Sequence, residues 1–343
     1  MQSRSVSVVT ACRLVTFTVW CCVAVGAAAA QTALTDDAGR NVVLPAKVER
    51  VFAAGAPAEV LLYTLVPEKL AGRNNMPAEA ALELIPPEYR KPQPIVNLPE
   101  RDDPRYDAEL LALDIDVYVD YGTIDDDYVA ALEAISERTG IPGLILDGSL
   151  ENVPAVYRRL GAALGVPDRG DRLAREAERV IDKYRGRLAE PAVRVYLACS
   201  QNGLTPCVEG HSSGEAAALL GAVNVGGKLG EPRRPLTIDE IRARAPDVVI
   251  AASASVAAAL RAAPEWQQLP AVAAGRVYAP PDLPFNWGPR PPSVNRLPSL
   301  IWLAYVARGR AFDEEFREDV RRVFAAFYHV TPTPTQLDRL VGN

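Results

Sequence analysis

Short apolar runs alternate with segments of helical period along most of the chain. Residues 50–55 predict a buried strand that ends in a small-residue turn, and residues 58–65 predict the helix that follows. A strand, a turn and a helix form one α/β unit. Residues 117–121 and 143–147 predict two further strands, and residues 128–139 predict a helix between them. The first half of the chain therefore predicts one α/β lobe.

The second half repeats this arrangement. Residues 194–199 predict a strand of the same type as residues 50–55, with an arginine at the start of each. Residues 241–250 likewise resemble residues 110–119, where a helix end leads into an apolar strand. Internal similarity of this kind indicates a repeated structural unit. We expect two similar α/β lobes in tandem.

One long amphipathic segment separates the two halves. Between residues 168 and 188 the apolar positions recur every three or four residues, which is the period of a helix with one buried face. Pro167 suits the start of this helix, and Pro191 lies beyond its end. About twenty helical residues span roughly 30 Å, the diameter of a small domain. The recurring apolar residues are Leu173, Ala177, Val180, Ile181, Tyr184 and Leu188.

The predicted fold class is α/β, with two Rossmann-like lobes bridged by a single long helix and a ligand cleft between the lobes. The expected boundaries are residues 31–166 for the N-terminal lobe, 167–189 for the linking helix and 190–343 for the C-terminal lobe. A single rigid helix permits small rocking of the lobes, because it lacks the flexible hinge that a wide swing needs.

The start of the chain differs in composition from the rest. Arg4 and Arg13 precede an apolar run at residues 14–25, and glycine and alanine follow. A basic start, a short apolar centre and small residues predict a cleavable secretory signal at residues 1–30. The apolar run is short for a membrane span. We expect a soluble exported protein whose mature chain starts near Gln31.

The charge of the chain limits its partners. The formal net charge is −6 at pH 7, and the acidic excess grows when Arg4 and Arg13 leave with the signal. An acidic surface without a basic patch argues against nucleic acid as a partner. The chain has no Walker or dinucleotide-binding glycine pattern, so we expect no cofactor.

The cysteines divide between the predicted signal and the mature chain. Only Cys199 and Cys207 fall in the mature part, and Asn202–Gly203 between them is a strong hairpin signal. In an oxidising compartment two cysteines that flank a turn favour a disulfide. Two buried free thiols are the alternative.

Catalytic motifs are scarce. The chain has two histidines, His211 and His329, and no HExxH or CxxC pattern, so we predict no site that binds a bare metal ion directly. Residues 210–214 lack the strand context that a nucleophilic serine needs. His329 suits a helix cap. An enzyme is therefore disfavoured, and a secreted hydrolase acting in the cleft remains the alternative of a different class.

A proline-rich segment at residues 280–292 stands out as a candidate ligand wall. Proline fixes φ and removes backbone donors, so this loop should hold its aromatic and guanidinium groups rigidly. A buried loop with a core tryptophan is the alternative. Loops that follow predicted strands add further candidates, since ligands of two-lobed α/β proteins bind at strand carboxyl ends. The predicted ligand-binding residues are Arg73, Tyr121, Ser200, His211, Phe285, Trp287 and Arg290.

Six segments resemble those of a known family, and their order along the chain adds to the resemblance. The segments are residues 36–65, YVDYG at 118–122, GIPGLILDG at 140–148, LGAVNVGG at 220–227, LTIDEIRARAPDVVIA at 236–251, and 264–304. Together they cover nearly all of the mature chain, which resembles the periplasmic solute-binding proteins of the iron-complex and cobalamin uptake class. Members of that class serve ATP-driven importers, and the class implies two lobes, one bridging helix and a ligand in the cleft.

The resemblance also implies an acidic residue on each lobe that docks with arginines of the membrane permease. The matching position in the C-terminal lobe is Asp239, with Glu240 beside it. In the N-terminal lobe the matching position is Ala108, so this chain departs from the family pattern there, and we expect the neighbouring Glu109 to act instead.

The expected function is that of a monomeric periplasmic receptor that delivers a small metal-containing ligand to an inner-membrane ABC permease. An iron chelate is the favoured ligand. Molybdate or tungstate, haem and corrinoids remain alternatives, because the segment at residues 290–296 resembles a subgroup in which oxyanion binders sit beside iron-complex binders.

Overall fold

The computed structural model of the protein describes most of the chain after the predicted signal. The signal at residues 1–30, His211 and Arg290 lie outside the described residues. No helix in the described part is both long and apolar enough to cross a membrane. The described ranges are residues 32–74, 77–90, 103, 105–210, 212–230, 234–288 and 291–342.

The N-terminal lobe consists of a hairpin and a parallel sheet covered by helices. Strands β1 and β2 pair antiparallel, and β3, β4 and β5 form a parallel sheet in that order. The three parallel strands are almost wholly buried, as parallel strands between helices must be. The elements are β1 (Thr32–Thr35), β2 (Asn41–Leu44), β3 (Val51–Ala53), α1 (Ala56–Leu65), α2 (Arg105–Ala112), β4 (Val117–Gly122), α3 (Asp126–Thr139), β5 (Gly143–Asp147) and α4 (Val153–Ala163).

The C-terminal lobe has a second parallel sheet with strand order β7-β6-β8-β9. The repeated α/β arrangement of the sequence is therefore present in the structure. The elements are β6 (Arg194–Ala198), α6 (Glu215–Leu219), β7 (Val223–Asn224), α7 (Ile238–Ala243), β8 (Val248–Ala251), α8 (Ala254–Ala262), α9 (Pro270–Ala273) and β9 (Val277–Tyr278).

The long helix between the lobes is α5, Pro167–Tyr184. It starts at the predicted proline and buries the predicted apolar face. It ends five residues short of the expected boundary at 189, because Arg185 is extended and Gly186 has a φ of +70°. Gly161 of α4 and Gly170 of α5 touch, since a Cβ on Gly161 would lie 2.8 Å from the Gly170 Cα.

Three C-terminal helices add a second connection between the lobes. They are α10 (Arg296–Val306), α11 (Glu314–Phe327) and α12 (Pro334–Val341). Helix α10 packs on α5 and α6, and α11 packs on α1 of the N-terminal lobe. Apolar residues of both sheets, α5, α10 and α11 form one continuous buried cluster. These helices therefore add contacts between the lobes beside the single long helix α5.

A buried carboxylate joins α5 to α11. Asp319 of α11 accepts hydrogen bonds from Arg179 at 2.7 Å, Lys183 at 2.6 Å and Tyr184 at 2.6 Å. Burial of Asp319 disfavours its charge, but the bonds from Lys183, Tyr184 and Arg179 outweigh burial and hold its pKa below the ordinary value. This network fixes the C-terminal helices against the bridging helix.

We predict that Asp319→Asn lowers the free energy of unfolding by roughly 2–3 kcal/mol at neutral pH, because it leaves two cations beside an uncharged group. Arg179 and Lys183 are partly exposed, so the loss is smaller than for a fully buried ion pair. A carboxylate with a lowered pKa stabilises the fold above its unfolded pKa of about 3.9 and loses that effect as pH falls. Urea denaturation at several pH values would show a difference that shrinks in acid.

The matched control is Asp171→Asn, which breaks exposed ion pairs of Asp171, on the same bridging helix, with Arg158 and Arg175. We expect this variant to lose less than about 1 kcal/mol. Equal losses in the two variants would contradict a special role for Asp319.

Candidate ligand-binding cleft

A cavity of about 620 Å³ lies where loops of the two lobes meet. Its N-terminal wall includes Gly122 and Asp147, the last residues of β4 and β5. Its C-terminal wall comes from the segment between β6 and α6. Carboxyl ends of parallel strands are the usual ligand position in such folds, and the volume is that of ordinary small-molecule sites. The polar residues of the wall are Asp37, Thr123, Asp147, Ser149, Ser212 and Glu215.

Two glycines let the N-terminal loops meet closely at the cleft. The Gly148 amide donates to the Gly122 carbonyl at 2.8 Å. A Cβ on Gly148 would lie 2.8 Å from the Gly122 Cα, which backbone atoms cannot accommodate. The loops after β4 and β5 are therefore held side by side, and their polar side chains share one wall.

Three carboxylates give the described wall a negative character. Asp37 forms an ion pair with Arg159 and accepts from the Asp147 amide at 2.9 Å. Glu215 forms an ion pair with Arg296. Asp147 accepts from the amide of Ser149 at 2.8 Å and its hydroxyl at 3.0 Å, and forms no ion pair within the described residues. Among the described residues, the wall thus offers oxygen acceptors and one carboxylate, that of Asp147, without a cationic partner.

The described residues contain no group of three or more His, Cys, Asp or Glu side chains arranged to hold a metal ion. The carboxylates of the wall have separate partners in Arg159, Ser149 and Arg296.

The proline-rich loop does not form the expected wall with its aromatics. Trp287 is completely buried, and its Nε1 donates to the Leu283 carbonyl at 3.1 Å. Its ring lies 5.9 Å from that of Phe324. Phe285 packs edge-on against Tyr63, with ring centres 5.0 Å apart. Both aromatics pack against the core and neither lines the cavity, so their contact with a ligand stays a prediction.

Three further predicted residues also lie elsewhere than on the cleft wall. Tyr121 is buried in the core, and this burial raises its pKa to about 12 despite the opposing charge of Arg296. Arg73 is buried and donates to the Tyr89 carbonyl at 3.0 Å. Ser200 accepts from the Thr205 amide at 3.0 Å and so closes a hairpin turn. None of the three side chains lines the cleft.

The two remaining ligand predictions, His211 and Arg290, lie outside the described residues. The adjacent Ser212 and the nearby Pro292 both line the cleft. The prediction that His211 and Arg290 contact a ligand therefore stays a prediction.

The structure contains the predicted disulfide. Cys199 and Cys207 are bonded, with their Cα atoms 5.5 Å apart. The Cys199 amide donates to the Thr205 carbonyl at 3.0 Å, so the intervening residues form the expected hairpin. The bridge anchors the segment that leads from β6 into the C-terminal wall of the cleft.

The three predicted docking acids lie on the surface to different degrees. Glu109 is exposed on α2, and Asp239 is exposed on α7 beside Arg242. Glu240 is committed to local structure, because it forms a capping box with Thr237 and an ion pair with Arg234. These contacts lower the pKa of Glu240 to about 2, the Arg234 hydrogen bond contributing most.

The sequence reasoning missed the four charged residues that shape the cleft, which are Asp37, Asp147, Glu215 and Arg296. Asp147 could have been found, since it directly follows a predicted buried strand. Asp37 comes from the β1–β2 hairpin, whose position against the sheet has no local signal. Arg296 lies in the segment that drew attention to Arg290, but at the start of a helix whose partners are remote in sequence.

Comparison with known proteins gives a consistent result. Residues 66–283 match the family model described as periplasmic binding protein. No curated protein matches the chain in sequence.

Solved structures of similar fold include three transport proteins. An ABC transporter solute binding protein of Sulfurospirillum deleyianum is 22% identical over 91% of this chain and 99% of its own, with a TM-score of 0.79. The periplasmic protein MolA of Haemophilus influenzae, bound to molybdate, is 16% identical over 88% and 99%, with a TM-score of 0.69. The vitamin B12 binding protein BtuF of Vibrio cholerae is 18% identical over 76% and 97%, with a TM-score of 0.57.

We predict that Tyr121→Phe raises the free energy of unfolding by about 1 kcal/mol, because the buried Tyr121 hydroxyl lies near Arg296 but forms no hydrogen bond of ordinary geometry within the described residues. The matched control is Tyr157→Phe, which removes a hydroxyl bonded to Thr64 at 2.5 Å and should cost about 1 kcal/mol. Chemical denaturation compares the two. A loss in Tyr121→Phe as large as in the control would show that the hydroxyl does have a partner.

Proposed function

Because the chain belongs to the periplasmic binding protein family, whose members bind solutes and are not enzymes, we propose that it captures a metal-containing small molecule in its cleft and delivers it to a membrane permease. An iron chelate of the siderophore type is the proposed ligand. The family is periplasmic and of the ABC transporter type. Capture therefore takes place outside the inner membrane, and import follows at the permease.

The observation that carries this proposal is the polar cleft between the lobes. Its volume of about 620 Å³ exceeds what a bare ion needs and matches a chelate with its organic ligand. Hydroxyls of Thr123, Ser149 and Ser212 can donate to or accept from the chelate's oxygens. Side chains of the described residues do not fill the cleft, so a ligand can enter without large rearrangement of these residues.

The charge of the described wall favours one type of chelate. Asp147 carries the carboxylate that no described cation neutralises, and burying a second anion beside it would be costly. A ferric trihydroxamate is neutral or cationic, because three hydroxamate anions balance Fe³⁺. A ferric tris-catecholate and molybdate are anionic. We therefore favour a hydroxamate-type iron chelate with amino or amide donors facing Asp147.

An oxyanion is the second candidate, since the similar fold of MolA holds molybdate. Oxyanions are bound by arginine and by backbone N–H groups. Arg290 is the predicted arginine for that role, and His211 is the predicted axial group if a haem or corrinoid occupies the cleft. Binding of an iron chelate would therefore depend on the carboxylate of Asp147, and binding of an oxyanion on the guanidinium of Arg290.

We predict that ferrioxamine B, a ferric trihydroxamate, binds the wild-type protein more tightly than molybdate does. Asp147→Asn should weaken ferrioxamine B binding about ten-fold, because a charge-assisted hydrogen bond becomes a neutral one. Isothermal titration with ferrioxamine B, ferric enterobactin, molybdate, haem and cyanocobalamin measures this. Native mass spectrometry with metal analysis of protein purified from periplasm would identify a co-purified ligand.

Glu133→Gln, an exposed change on α3 away from the cleft, is the matched control and should bind as wild type. The iron-chelate proposal fails if molybdate is the ligand, if Asp147→Asn strengthens its binding and if Arg290→Ala abolishes it. That pattern would instead establish an oxyanion receptor.

We further propose that Glu109 and Asp239 dock with arginines of the permease, one from each lobe. Both carboxylates are exposed. Asp239 and Glu240 each form an ion pair with an arginine, but Glu240 is less suited to docking because it is less exposed and its carboxylate also caps α7. Glu240 instead stabilises the N-terminus of α7, the helix that carries Asp239.

We predict that Glu109→Arg and Asp239→Arg each reduce uptake of iron-55 ferrioxamine B by at least about ten-fold in cells, because like charges would then face each other at the interface. Binding of ferrioxamine B by the purified variants should be unchanged. Glu137→Arg, an exposed reversal on α3, is the control and should transport normally. Normal transport by both docking variants would refute the assignment.

A further inference from the structure

One arginine lies buried beneath the cleft. Arg296 is the first residue of α10 and is 2% exposed. Its guanidinium donates to the Gly148 carbonyl, to the Glu215 carboxylate and, at 3.3 Å, to the Ser212 carbonyl. Its Nε donates to the Ser293 carbonyl at 2.9 Å. A buried guanidinium is tolerated only with such a complete set of acceptors.

These acceptors come from both lobes. Gly148 follows β5 of the N-terminal lobe, whereas Ser212 and Glu215 follow β6 of the C-terminal lobe. The Glu215 carboxylate also reaches the other lobe, because it accepts from the Leu150 amide at 2.9 Å. Both members of the ion pair, Arg296 and Glu215, are therefore hydrogen-bonded to the N-terminal lobe.

A second hydrogen bond fixes the same end of α10. The Ser293 hydroxyl donates to the carbonyl of Pro57 at 2.6 Å, and Pro57 lies in the first turn of α1. The start of α10 is thus attached to the N-terminal lobe at two separate points, through Arg296 and through Ser293.

The groups that Arg296 and Glu215 hold are themselves part of the cleft. Gly148 and Ser149 form one wall, and Ser212 and Glu215 form the other. A change in the spacing of the lobes at this point would break bonds to a buried charge, which is among the costliest local changes in a protein. The width of the cleft is therefore coupled to this ion pair.

We propose that Arg296 and Glu215 act as positioning residues that fix the spacing of the lobes at the floor of the cleft and thereby set ligand affinity. The effect on affinity rests on the proposed function, whereas the effect on lobe spacing does not. The ion pair keeps the two walls at the separation that the ligand requires before the ligand arrives. Preorganisation of this kind raises affinity because binding does not have to order the walls.

The test measures lobe spacing without any ligand. Spin labels on Glu133→Cys in α3 and Ala259→Cys in α8 mark one exposed site on each lobe, and pulsed electron paramagnetic resonance gives the distance distribution between them. Arg296→Met removes the charge and keeps the apolar stem. We expect a distribution about two-fold wider than that of wild type, since the walls lose their common anchor.

Two further variants make the measurement specific. Arg296→Lys retains the charge without the fork of donors and should give an intermediate width. Arg244→Met is the matched control, because the Arg244 guanidinium donates at 2.8 Å to Val225 within the C-terminal lobe; it should leave the distribution unchanged. Thermal unfolding of each labelled protein confirms that the fold is retained, and Glu215→Gln replaces Arg296→Met if the latter does not fold.

Titration with ferrioxamine B completes the test. Arg296→Met should bind it at least about ten-fold more weakly than wild type, while Arg244→Met binds normally. An unchanged distance distribution in Arg296→Met overturns the inference, and so does a wider distribution with unchanged affinity. If no probe of the panel binds wild type but the distribution widens, the positioning role stands and the proposed function fails.

Discussion

The structure depends on one apolar core that the two lobes share. Val117 of the first sheet, Val195 of the second and Val180 of the bridging helix belong to the same buried cluster, together with Leu300 of α10 and Phe324 of α11. Separating the lobes would expose this surface at roughly 25 cal/mol per Å². The lobes can therefore rock but not open widely, and the cleft between them exists before a ligand arrives.

The shared core also explains why the charged residues of the cleft have fixed positions. Parallel strands of both sheets end at the junction of the two lobes, so the loops that follow these strands meet there. Gly122 and Gly148 permit the close approach on one side, and the disulfide between Cys199 and Cys207 anchors the segment on the other. The carboxylates then project from loops that the core already holds still. Selectivity for the charge of a ligand needs such rigidity, because a mobile carboxylate could turn away from an anionic ligand and would no longer disfavour its binding.

Much of the fold could be predicted from local patterns in the sequence. The period of apolar residues located α5, because a helix with one buried face repeats its pattern over many turns. The hairpin signal and the secretory context together predicted the disulfide. The same patterns placed the end of α5 too late, and they carry no signal for the contacts of the C-terminal helices with the N-terminal lobe, which depend on residues far away in the chain.

The site was less predictable than the fold for a physical reason. Trp287 and Tyr121 were chosen as ligand contacts for their chemistry, but a large aromatic beside a core is more stable when buried than when exposed in a cleft. Asp147 and Glu215 received no attention, since single acidic residues are common on any surface. Asp147 and Glu215 matter because the fold brings the segments that carry them to one cleft, and the spacing of residues in the sequence does not show this.

The position of α11 and α12 has a consequence for how the chain is made. Tyr63 in α1 is hydrogen-bonded to a carbonyl 265 residues later, and Glu83 forms an ion pair with Arg339, 256 residues later. The first lobe therefore cannot complete its core while the ribosome is still synthesising the second. Contacts of such long range also slow folding. The apolar surface of α1 that α11 covers therefore stays exposed until the last helices have been synthesised.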